Sequence, residues 1–374
     1  MINLFKIEID PKRVFGLDIL RALAILFVVA GHGSTLLPRK IGNISSIFIF
    51  DGVSIFFVLS GFLIGGIFIK LIEENGIEIS VLKNFWVRRW FRTLPNYFLI
   101  LLTLCLLNSF FNEGFTFRSV ISYFIFSQNL FWEHTGFFPE SWSLSIEEWF
   151  YLIMPLLISI LTVTLNKSYK KSVFWACVII IVLVTLFRSF RFFQISINDI
   201  NDWNAMYGKQ VATRLDSLMF GVVGAYINYF HKSLWIKFKI PLLFTGILIL
   251  LTSKFLLPQF TAIGGVYSCV FSFTLISVGT LFLLPYLSEL KSGNGLLYKP
   301  ITYISLISYS MYLLNLSIVR RWVIGNIPWQ EITDNIYIKV VLNYSIYWLL
   351  VIGLSILIYK YFEIPMTSLR ERVK

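Results

Sequence analysis

The chain has 374 residues, of which 57% are hydrophobic and only 14% are charged. An ordinary soluble protein has about 25% charged residues, and here apolar runs long enough to span a bilayer recur along the whole sequence. These features exclude a typical soluble enzyme and predict an all-α, polytopic transmembrane helix bundle. Cys105, Cys177 and Cys269 all lie in apolar runs, which argues against a disulfide framework or a zinc site.

Ten spanning helices are predicted from the apolar runs. They lie at 14–36, 45–70, 93–111, 145–165, 172–191, 213–230, 240–257, 263–286, 301–320 and 339–361. A shorter apolar segment, 117–131, is too brief to span comfortably and is predicted to form a re-entrant or interfacial helix. With no repeat or soluble segment evident, residues 1–374 are expected to form a single integral membrane domain.

The formal net charge of +12 has two interpretations. It would suit a nucleic-acid partner, but in a membrane protein it is more simply explained by basic cytoplasmic loops. If the N-terminus is inside, the inner loops hold most of the 32 Lys and Arg residues. The distribution therefore predicts both termini in the cytoplasm, a cell-membrane location and no nucleic-acid partner.

The first predicted helix contains "RALAILFVVAGHG", which places two polar side chains in an apolar run. Arg21 and His32 are eleven positions apart, which is three helical turns plus about 20°, so they share a face and lie about 16 Å apart along the axis. A buried polar pair that holds helices together is one interpretation. Because intramembrane ionisable groups are usually functional, a site is favoured.

The second predicted helix contains "GVSIFFVLSGFLIGG", in which Gly61, Gly65 and Gly66 permit close approach of another backbone. Close helix packing is the favoured interpretation, and a groove for a long, thin ligand is the alternative.

Basic residues precede the third predicted helix in "WVRRWFRTLPNY". Arg89 and Arg92 are three residues apart and share a helical face, and paired guanidinium groups suit phosphate recognition. These residues and Arg88 could instead only anchor the helix at the membrane surface. Arg21 on the same side of the membrane favours an anionic ligand.

The fourth predicted helix opens with "FFPESWSLSIEEWFYLIMP". Ser143 and Ser145 fit a helix-capping pattern, but capping does not explain the adjacent acids Glu147 and Glu148 in an otherwise apolar helix. His134 lies just upstream and is expected to approach the same site.

Arg214 and Asp216 occur in "TRLDSLMFG" at the start of the sixth predicted helix. Two residues apart, they do not face each other. Each is expected to pair with another helix or to contact a polar ligand.

Together these elements resemble the acyltransferase-3 family of integral membrane acyltransferases. The matching features are Arg21 and His32 with ten residues between them, "FFVLSGFLIG", Arg89 and Arg92 before Leu94–Pro95, "WSLSIEEWFYLIMP", "RLDSLMFG", "ISYSMYLLN" and "EIP". The resemblance covers essentially the whole chain. It departs at Asn315, where the family often has histidine. No C-terminal esterase-like domain is expected after "EIPMTSLRERVK".

The resemblance implies a membrane O-acyltransferase that takes an acyl group, by default acetyl, from cytoplasmic acetyl-CoA to a hydroxyl of a carbohydrate or glycolipid acceptor across the bilayer. No metal is implied. Arg88, Arg89 and Arg92 would bind the phosphates of coenzyme A, with Arg21 further along the path. His32 would act as general base, or less readily form an acyl-histidine. Glu147 would orient His32 or the acceptor, and Ser143, Ser145, Arg214 and Asp216 are the predicted acceptor-binding residues.

Two other functions fit parts of the pattern. A transporter or flippase for an anionic substrate would use the same arginines, but internal repeats and broken helices are not evident. A scaffold for polysaccharide assembly leaves Arg21, His32 and Glu147 unexplained. Absence of nucleotide and metalloprotease motifs argues against an ATPase, a redox enzyme or a metalloprotease. The catalytic hypothesis predicts that inserting two residues between Arg21 and His32 abolishes transfer.

Overall fold

A computed structural model describes residues 9–371 except 12, 165–167 and 294. This part of the chain is helical and contains no strand. The ten long helices are α1 (Phe15–Gly33), α2 (Gly52–Asn75), α3 (Ile79–Phe111), α4 (Ser141–Thr164), α5 (Tyr169–Gln194), α6 (Val211–Phe230), α7 (Lys239–Leu251), α8 (Ser272–Leu287), α9 (Tyr298–Leu314) and α10 (Ile336–Ile358).

The long helices match the predicted spans in order and number. Across the described ranges, nine helices are long and apolar enough to cross a membrane, some of them extended by the short segments that adjoin them. The tenth, α6, carries Arg214 and Asp216 and is not among the nine. The predicted polytopic all-α fold with about ten spans is therefore confirmed. Five basic residues assigned to the inner side, Lys6, Lys12, Lys167, Arg372 and Lys374, lie outside the described residues, as do both chain ends.

Short helical segments connect or extend the long helices. Those before α9 are Ser34–Leu36, Arg39–Phe48, Phe117–Val120, Ile121–Phe124, Ile200–Trp203, Asn204–Gly208, Lys232–Lys237, Thr252–Leu256, Leu257–Phe260 and Tyr267–Phe271; those after it are Asn315–Val323, Ile324–Asn326, Trp329–Ile332, Tyr359–Glu363, Ile364–Ser368 and Leu369–Glu371. Several of these, including Asn315–Val323, have π-helical hydrogen bonding. Wider turns of this kind are common at functional sites.

The predicted continuous helix 45–70 is wrong at its start. One helix ends at Phe48, and α2 begins only at Gly52. The break follows from capping, because the Asp51 carboxylate accepts hydrogen bonds from the Ser54 backbone N–H at 3.0 Å and its hydroxyl at 2.5 Å. An apolar run alone did not show this internal helix start.

Two other boundaries also differ from prediction. Helix α3 begins at Ile79 rather than 93 and continues through Pro95, so Arg88, Arg89 and Arg92 lie within the helix and not before it. The segment 117–131 forms only the short turns Phe117–Val120 and Ile121–Phe124, followed by irregular chain. It is therefore much shorter than the interfacial helix expected there.

Helices α2 and α6 pack with their backbones in direct contact. A Cβ added at Gly61 would collide with the Leu218 carbonyl oxygen, and one added at Gly221 would collide with the Val58 carbonyl oxygen. Gly65 likewise faces Val222, where an added Cβ would lie 3.2 Å from its Cα. The small-residue stripe therefore serves close packing, the favoured interpretation.

Replacing Gly61 by valine is expected to destabilise the protein by about 3 kcal/mol, because the new side chain must displace backbone rather than a flexible side chain. Thermal unfolding in detergent measures the effect. Gly66→Ala is the matched control, since the nearest atom to its added Cβ, Ala225 Cβ, lies at 3.9 Å. Equal melting temperatures for the two variants would contradict the backbone contact.

Candidate functional site

Five helices enclose a cavity of about 210 Å³. Its polar lining residues come from α1, α2, α3, α4 and α9: Arg21, Ser60, Arg89, Arg92, Thr93, Ser143, Glu147, Tyr151, Ser308, Tyr309 and Tyr312. The α2 face adds apolar side chains, among them Phe56, Leu59 and Leu63. The sequence thus brings residues from five separate segments to one chamber, which we call the central cavity.

A second cavity of about 370 Å³ adjoins the central cavity. The two share Arg21, Arg92, Ser308 and Tyr309. The second cavity is otherwise lined by residues before α1 and after α10: Arg13, Ser305, Leu306, Tyr359, Glu363, Ile364, Thr367, Ser368 and Arg370. Four arginines therefore surround this opening, which we call the arginine mouth.

Three arginines in these cavities make no direct contact with any acid that the structure describes, although Glu147 and Glu363 lie close enough to act electrostatically on Arg21 and Arg92. Within the described residues, the side chains of Arg21, Arg89 and Arg92 form neither a hydrogen bond nor an ion pair. The Arg89 Nε is also fully buried without an acceptor. Arg89 is buried, Arg21 is half-buried and Arg92 is exposed. Leaving the buried Arg89 guanidinium without a hydrogen bond is costly, so this arrangement points to an anion that binds between the three side chains.

Two other buried arginines in the bundle donate hydrogen bonds through their terminal nitrogens, although the Nε of each has no acceptor within the described residues. Arg188 forms a bidentate pair with Asp216, at 2.6 Å and 3.2 Å, and both side chains are completely buried. Arg214 donates to the Ser54 hydroxyl at 2.6 Å and to the Gly208 carbonyl at 3.0 Å. Unlike these two side chains, those of Arg21, Arg89 and Arg92 donate no hydrogen bond within the described residues.

Five predicted site residues line neither the central cavity nor the arginine mouth: His32, Arg88, Ser145, Arg214 and Asp216. Arg214 and Asp216 make the buried contacts just described, and each pairs with another helix, as one of the predicted alternatives required. Arg88 is exposed, and its Nε donates to Asn84 at 3.0 Å. Of these two adjacent arginines, Arg89 thus lines the central cavity and Arg88 does not.

The two adjacent acids of α4 have different surroundings. Glu147 lines the central cavity and accepts a hydrogen bond from the Tyr151 hydroxyl at 2.9 Å, while that hydroxyl also contacts Ser60 at 3.2 Å. Glu148 is buried beside the cavity and accepts from Thr93 at 2.7 Å. Glu147 is thus the acid that a ligand in the cavity can touch.

The two predicted serines also separate. The Ser143 hydroxyl lines the cavity and shares a 2.6 Å hydrogen bond with the Tyr312 hydroxyl of α9. Ser145 is fully buried and does not line the cavity, and its hydroxyl has no hydrogen-bond partner among the residues that the structure describes. Ser143 is therefore the serine positioned for contact with a ligand.

His32 lies at the far end of α1, and its ring is held by Asn315. The two side chains meet at 2.5 Å through His32 Nδ1 and Asn315 Oδ1. The Asn315 amide nitrogen already donates to the carbonyls of Met311 and Tyr312, so its oxygen must accept from the imidazole. This assigns the His32 proton to Nδ1 and leaves Nε2 as the free acceptor.

His32 does not line the central cavity, whereas Arg21 does. The cavity reaches the His32 region at Tyr312, whose side chain lines it and whose carbonyl accepts from Asn315. Asn315, and not Glu147, is the side chain hydrogen-bonded to His32. The predicted alternative in which Glu147 orients His32 therefore lacks a contact in this conformation.

Glu140 fixes the segment that begins with Asn315. Its carboxylate accepts from the backbone N–H groups of Leu316, at 3.0 Å, and Ser317, at 2.6 Å, and also from the Ser317 hydroxyl. The carboxylate is almost completely buried, and burial raises the pKa of Glu140 to about 7 although these donors lower it. Glu140 thus connects the chain before α4 to the segment that holds His32.

Replacing Glu140 by glutamine is expected to change how stability depends on pH. The folded pKa of about 7 lies above the ordinary 4.5, so the folded protein binds the proton between these values and stability falls as pH rises through that window. The loss is on the order of 3 kcal/mol by pH 8. As pH rises from 5 to 8, the melting temperature of Glu140→Gln should therefore increase relative to that of the unsubstituted protein. Parallel curves for the two proteins would contradict the raised pKa of Glu140.

His134 is a structural residue of the loop before α4. Its Nδ1 accepts from the Gly136 backbone N–H at 3.1 Å, so Nε2 carries the proton and donates to the Ser141 hydroxyl at 3.0 Å. Burial lowers the pKa of His134 to about 4, assisted by Lys209 and Arg321. His134 therefore connects the loop to the start of α4. It does not line the central cavity.

Sequence reasoning missed several residues of the site. Glu140 lay inside the quoted "FFPESW" stretch but had no spacing signal, because its partners are 176 and 177 residues away. Glu363, in the quoted "EIP", lines the arginine mouth and accepts from Asn96 and Ser310, both at 2.8 Å. In the described part of the chain no group of His, Cys, Asp and Glu residues is arranged to hold a metal ion.

Comparison with known proteins gives consistent findings. Residues 14–360 match the family model described as "Acyltransferase domain". One similar protein comes from Staphylococcus aureus (strain COL) and is provisionally named an O-acetyltransferase. It is 31% identical over 239 residues, which cover 60% of this chain and 35% of that protein. "Peptidoglycan O-acetyltransferase OatA" of Listeria monocytogenes (strain EGD-e) is 34% identical over 158 residues, 38% of this chain and 24% of its own.

"O-acetyltransferase OatA" of Staphylococcus aureus (strain NCTC 8325) is 27% identical over 347 residues, which cover 85% of this chain and 53% of that protein. This chain thus spans about half or less of the length of the curated relatives it matches. No solved structure matches the chain.

Proposed function

Because the chain belongs to the acyltransferase-3 family, we propose that it is a membrane O-acetyltransferase that uses acetyl-CoA as donor and a carbohydrate hydroxyl as acceptor. The observation that carries the proposal is the set of unpartnered arginines, Arg21, Arg89 and Arg92, around connected cavities. Coenzyme A carries phosphates at one end and a thioester at the end of a thin arm. A cationic mouth followed by a partly apolar chamber suits both parts.

Donor binding follows from the charge of the two cavities. The phosphates would bind at the arginine mouth, where Arg92 and Arg370 form no hydrogen bond or ion pair within the described residues and Arg13 is paired with Asp18. The thioester arm would extend past Arg21 and Arg89 into the central cavity, along the apolar α2 face. The orphaned Arg89 Nε would then gain an acceptor.

The basic loops support a cytoplasmic position for this mouth. Most Lys and Arg residues fall on the side that carries the residues before α1 and after α10, so we place the donor and both termini in the cytoplasm. His32, at the opposite end of α1, would then lie toward the extracytoplasmic side. Only the acyl group would need to cross.

His32 supplies the general base in this proposal. Its Nε2 would take the proton of the acceptor hydroxyl as that oxygen attacks the thioester carbonyl carbon. The new carbon–oxygen bond forms, the carbon–sulfur bond breaks, and coenzyme A leaves as a thiol with the proton that His32 had taken. Asn315 keeps the imidazole in the tautomer that this step requires, because it holds the proton on Nδ1.

Glu147 and Ser143 are assigned to the reacting groups within the cavity. The Glu147 carboxylate would accept a hydrogen bond from the donor arm or the acceptor, and Ser143 together with Tyr312 would contact the acyl end where the cavity approaches His32. Ser145, Arg214 and Asp216 are not needed for these contacts. Arg88 would contribute only to helix anchoring.

The acceptor is proposed from the relatives. One of them is named a peptidoglycan O-acetyltransferase, which favours a cell-envelope polysaccharide hydroxyl for this chain as well. Such an acceptor lies outside the cytoplasmic membrane, on the side proposed for His32. A multi-pass position in the lipid bilayer gives both substrates access to one protein.

The direct test is transfer of labelled acetyl from acetyl-CoA to a soluble oligosaccharide by the purified protein in detergent. Appearance of an alkali-labile acetyl ester on the sugar supports the proposal. If labelled acetyl-CoA binds but no ester or free coenzyme A forms, the chain is not an acyltransferase. Uptake of an anionic substrate into proteoliposomes without transfer would support the transporter alternative.

A further inference from the structure

A second group of cations lies toward the His32 end of α1, at the opposite end of the bundle from the arginine mouth. It consists of Lys209, Arg320 and Arg321, and we call it the His32-end cation cluster. All three are close enough to act electrostatically on His32. None of them contributes to the central cavity or the arginine mouth.

The backbone positions of the cluster are fixed around the proposed reaction site. Arg320 and Arg321 lie on the Asn315–Val323 segment, which begins with the residue that holds His32. Arg321 donates to the Gly136 carbonyl at 3.2 Å, in the loop that carries Glu140. Lys209 is anchored by its own carbonyl, which accepts from the Asn129 side chain at 2.6 Å.

The cluster is poorly neutralised. Within the described residues, the side chains of Lys209 and Arg320 form neither a hydrogen bond nor an ion pair. Compensation by the nearest acids is small, because the Glu140 carboxylate is used by Leu316 and Ser317, and Glu133, which does attract Lys209, is exposed. Burial and the neighbouring Arg321 lower the pKa of Lys209, which is the consequence of this crowding.

From this juxtaposition we propose that the acceptor is an anionic carbohydrate, whose carboxylate or phosphate binds the His32-end cation cluster while a nearby hydroxyl faces His32. The inference rests on the proposed acyltransferase function and names its substrate class. Arg321 repels both Lys209 and Arg320. An anion bound at the cluster relieves this repulsion and sets the distance from the charged group to the acylated hydroxyl. Donor and acceptor are then both recognised through negative charge, at opposite ends.

Binding measurements with two matched sugars test the proposal independently of turnover. The probes are fluorescently labelled chitotetraose, which is neutral, and carboxymethylated chitotetraose of the same length. In neutral detergent at low salt we expect the carboxymethylated sugar to bind about tenfold more tightly or better. Arg320→Gln and Lys209→Gln should each reduce that preference by up to about fivefold, without changing affinity for the neutral sugar.

Arg39→Gln is the matched control, since Arg39 is exposed and follows α1 at the same end but lies outside the cluster. Equal affinity for the two sugars, or equal effects of Arg39→Gln and Arg320→Gln, would overturn the proposal. Repeating the measurement in nanodiscs of phosphatidylcholine and of phosphatidylglycerol separates a lipid role. If Arg320→Gln changes sugar binding only in the phosphatidylglycerol nanodiscs, the cluster binds lipid headgroups instead.

The same proteins distinguish this inference from the proposed function. Acetyl transfer to a large excess of neutral sugar does not require the cluster. Absence of transfer there, with acetyl-CoA bound, counts against the acyltransferase. Transfer that proceeds without any preference for the charged sugar counts only against the anionic acceptor.

Discussion

Replacing His32 by alanine is expected to lower the rate constant of acetyl transfer by roughly 10²–10⁴-fold, the range typical of a lost general base. Affinity for acetyl-CoA should not change, because His32 does not line the cavities assigned to the donor. Single-turnover transfer of labelled acetyl, together with equilibrium binding of acetyl-CoA, separates the two quantities. The expected signature is a loss of rate with an unchanged Kd.

His134→Ala provides the control for that experiment. The chain has three histidines, and His134 is bound to Ser141 in the loop before α4 rather than to Asn315. We expect this variant to retain most of its activity if its melting temperature is preserved. Transfer at the wild-type rate by His32→Ala would remove His32 from the mechanism, and equal losses in both variants would indicate damage to this end of the bundle.

Much of the fold could be predicted because apolar run length is a local property of the sequence. A helix that crosses hydrocarbon must satisfy its own backbone and present apolar side chains, so each span was visible without knowledge of the others. The boundaries were less accessible. The start of α2 depends on the Asp51 cap. Helix α3 begins at Ile79 and continues through Pro95, so this proline does not mark a helix start.

The candidate site was predictable residue by residue but not as an assembly. Arg21, Arg89 and Glu147 stand out because ionisable groups are rare in apolar runs. What sequence could not show is which of them meet. Arg89 faces the cavity while the adjacent Arg88 faces outward, and this follows from how α3 packs on its neighbours.

Long-range partners account for most of what was missed. Asn315 was noticed only as a departure from the family, yet its hydrogen bond to His32 joins residues 283 positions apart. Asp216 looked like a ligand-binding acid and is instead the buried partner of Arg188. A polar residue in a membrane helix thus has two common uses, and only the positions of the other helices separate them.

The second large effect is expected at the arginines of α3. Arg89→Ala and Arg92→Ala should each weaken acetyl-CoA binding by about tenfold or more, since each removes charge-assisted hydrogen bonds to phosphate or to the polar arm. Arg88→Ala should leave the affinity unchanged, because this side chain lines neither cavity and is bonded to Asn84. Calorimetric titration of each purified variant with acetyl-CoA gives the comparison.

The adjacent pair makes this comparison decisive. Arg88 and Arg89 carry the same charge on consecutive residues of one helix, so a role in membrane anchoring would affect both variants alike. A ligand in the cavity is expected to separate them, because Arg89 lines it and Arg88 does not. Arg92→Lys should recover part of the affinity, since the charge returns without the planar pair of donors. Equal and small losses at Arg88 and Arg89 would mean that these arginines anchor α3 and that the donor binds elsewhere.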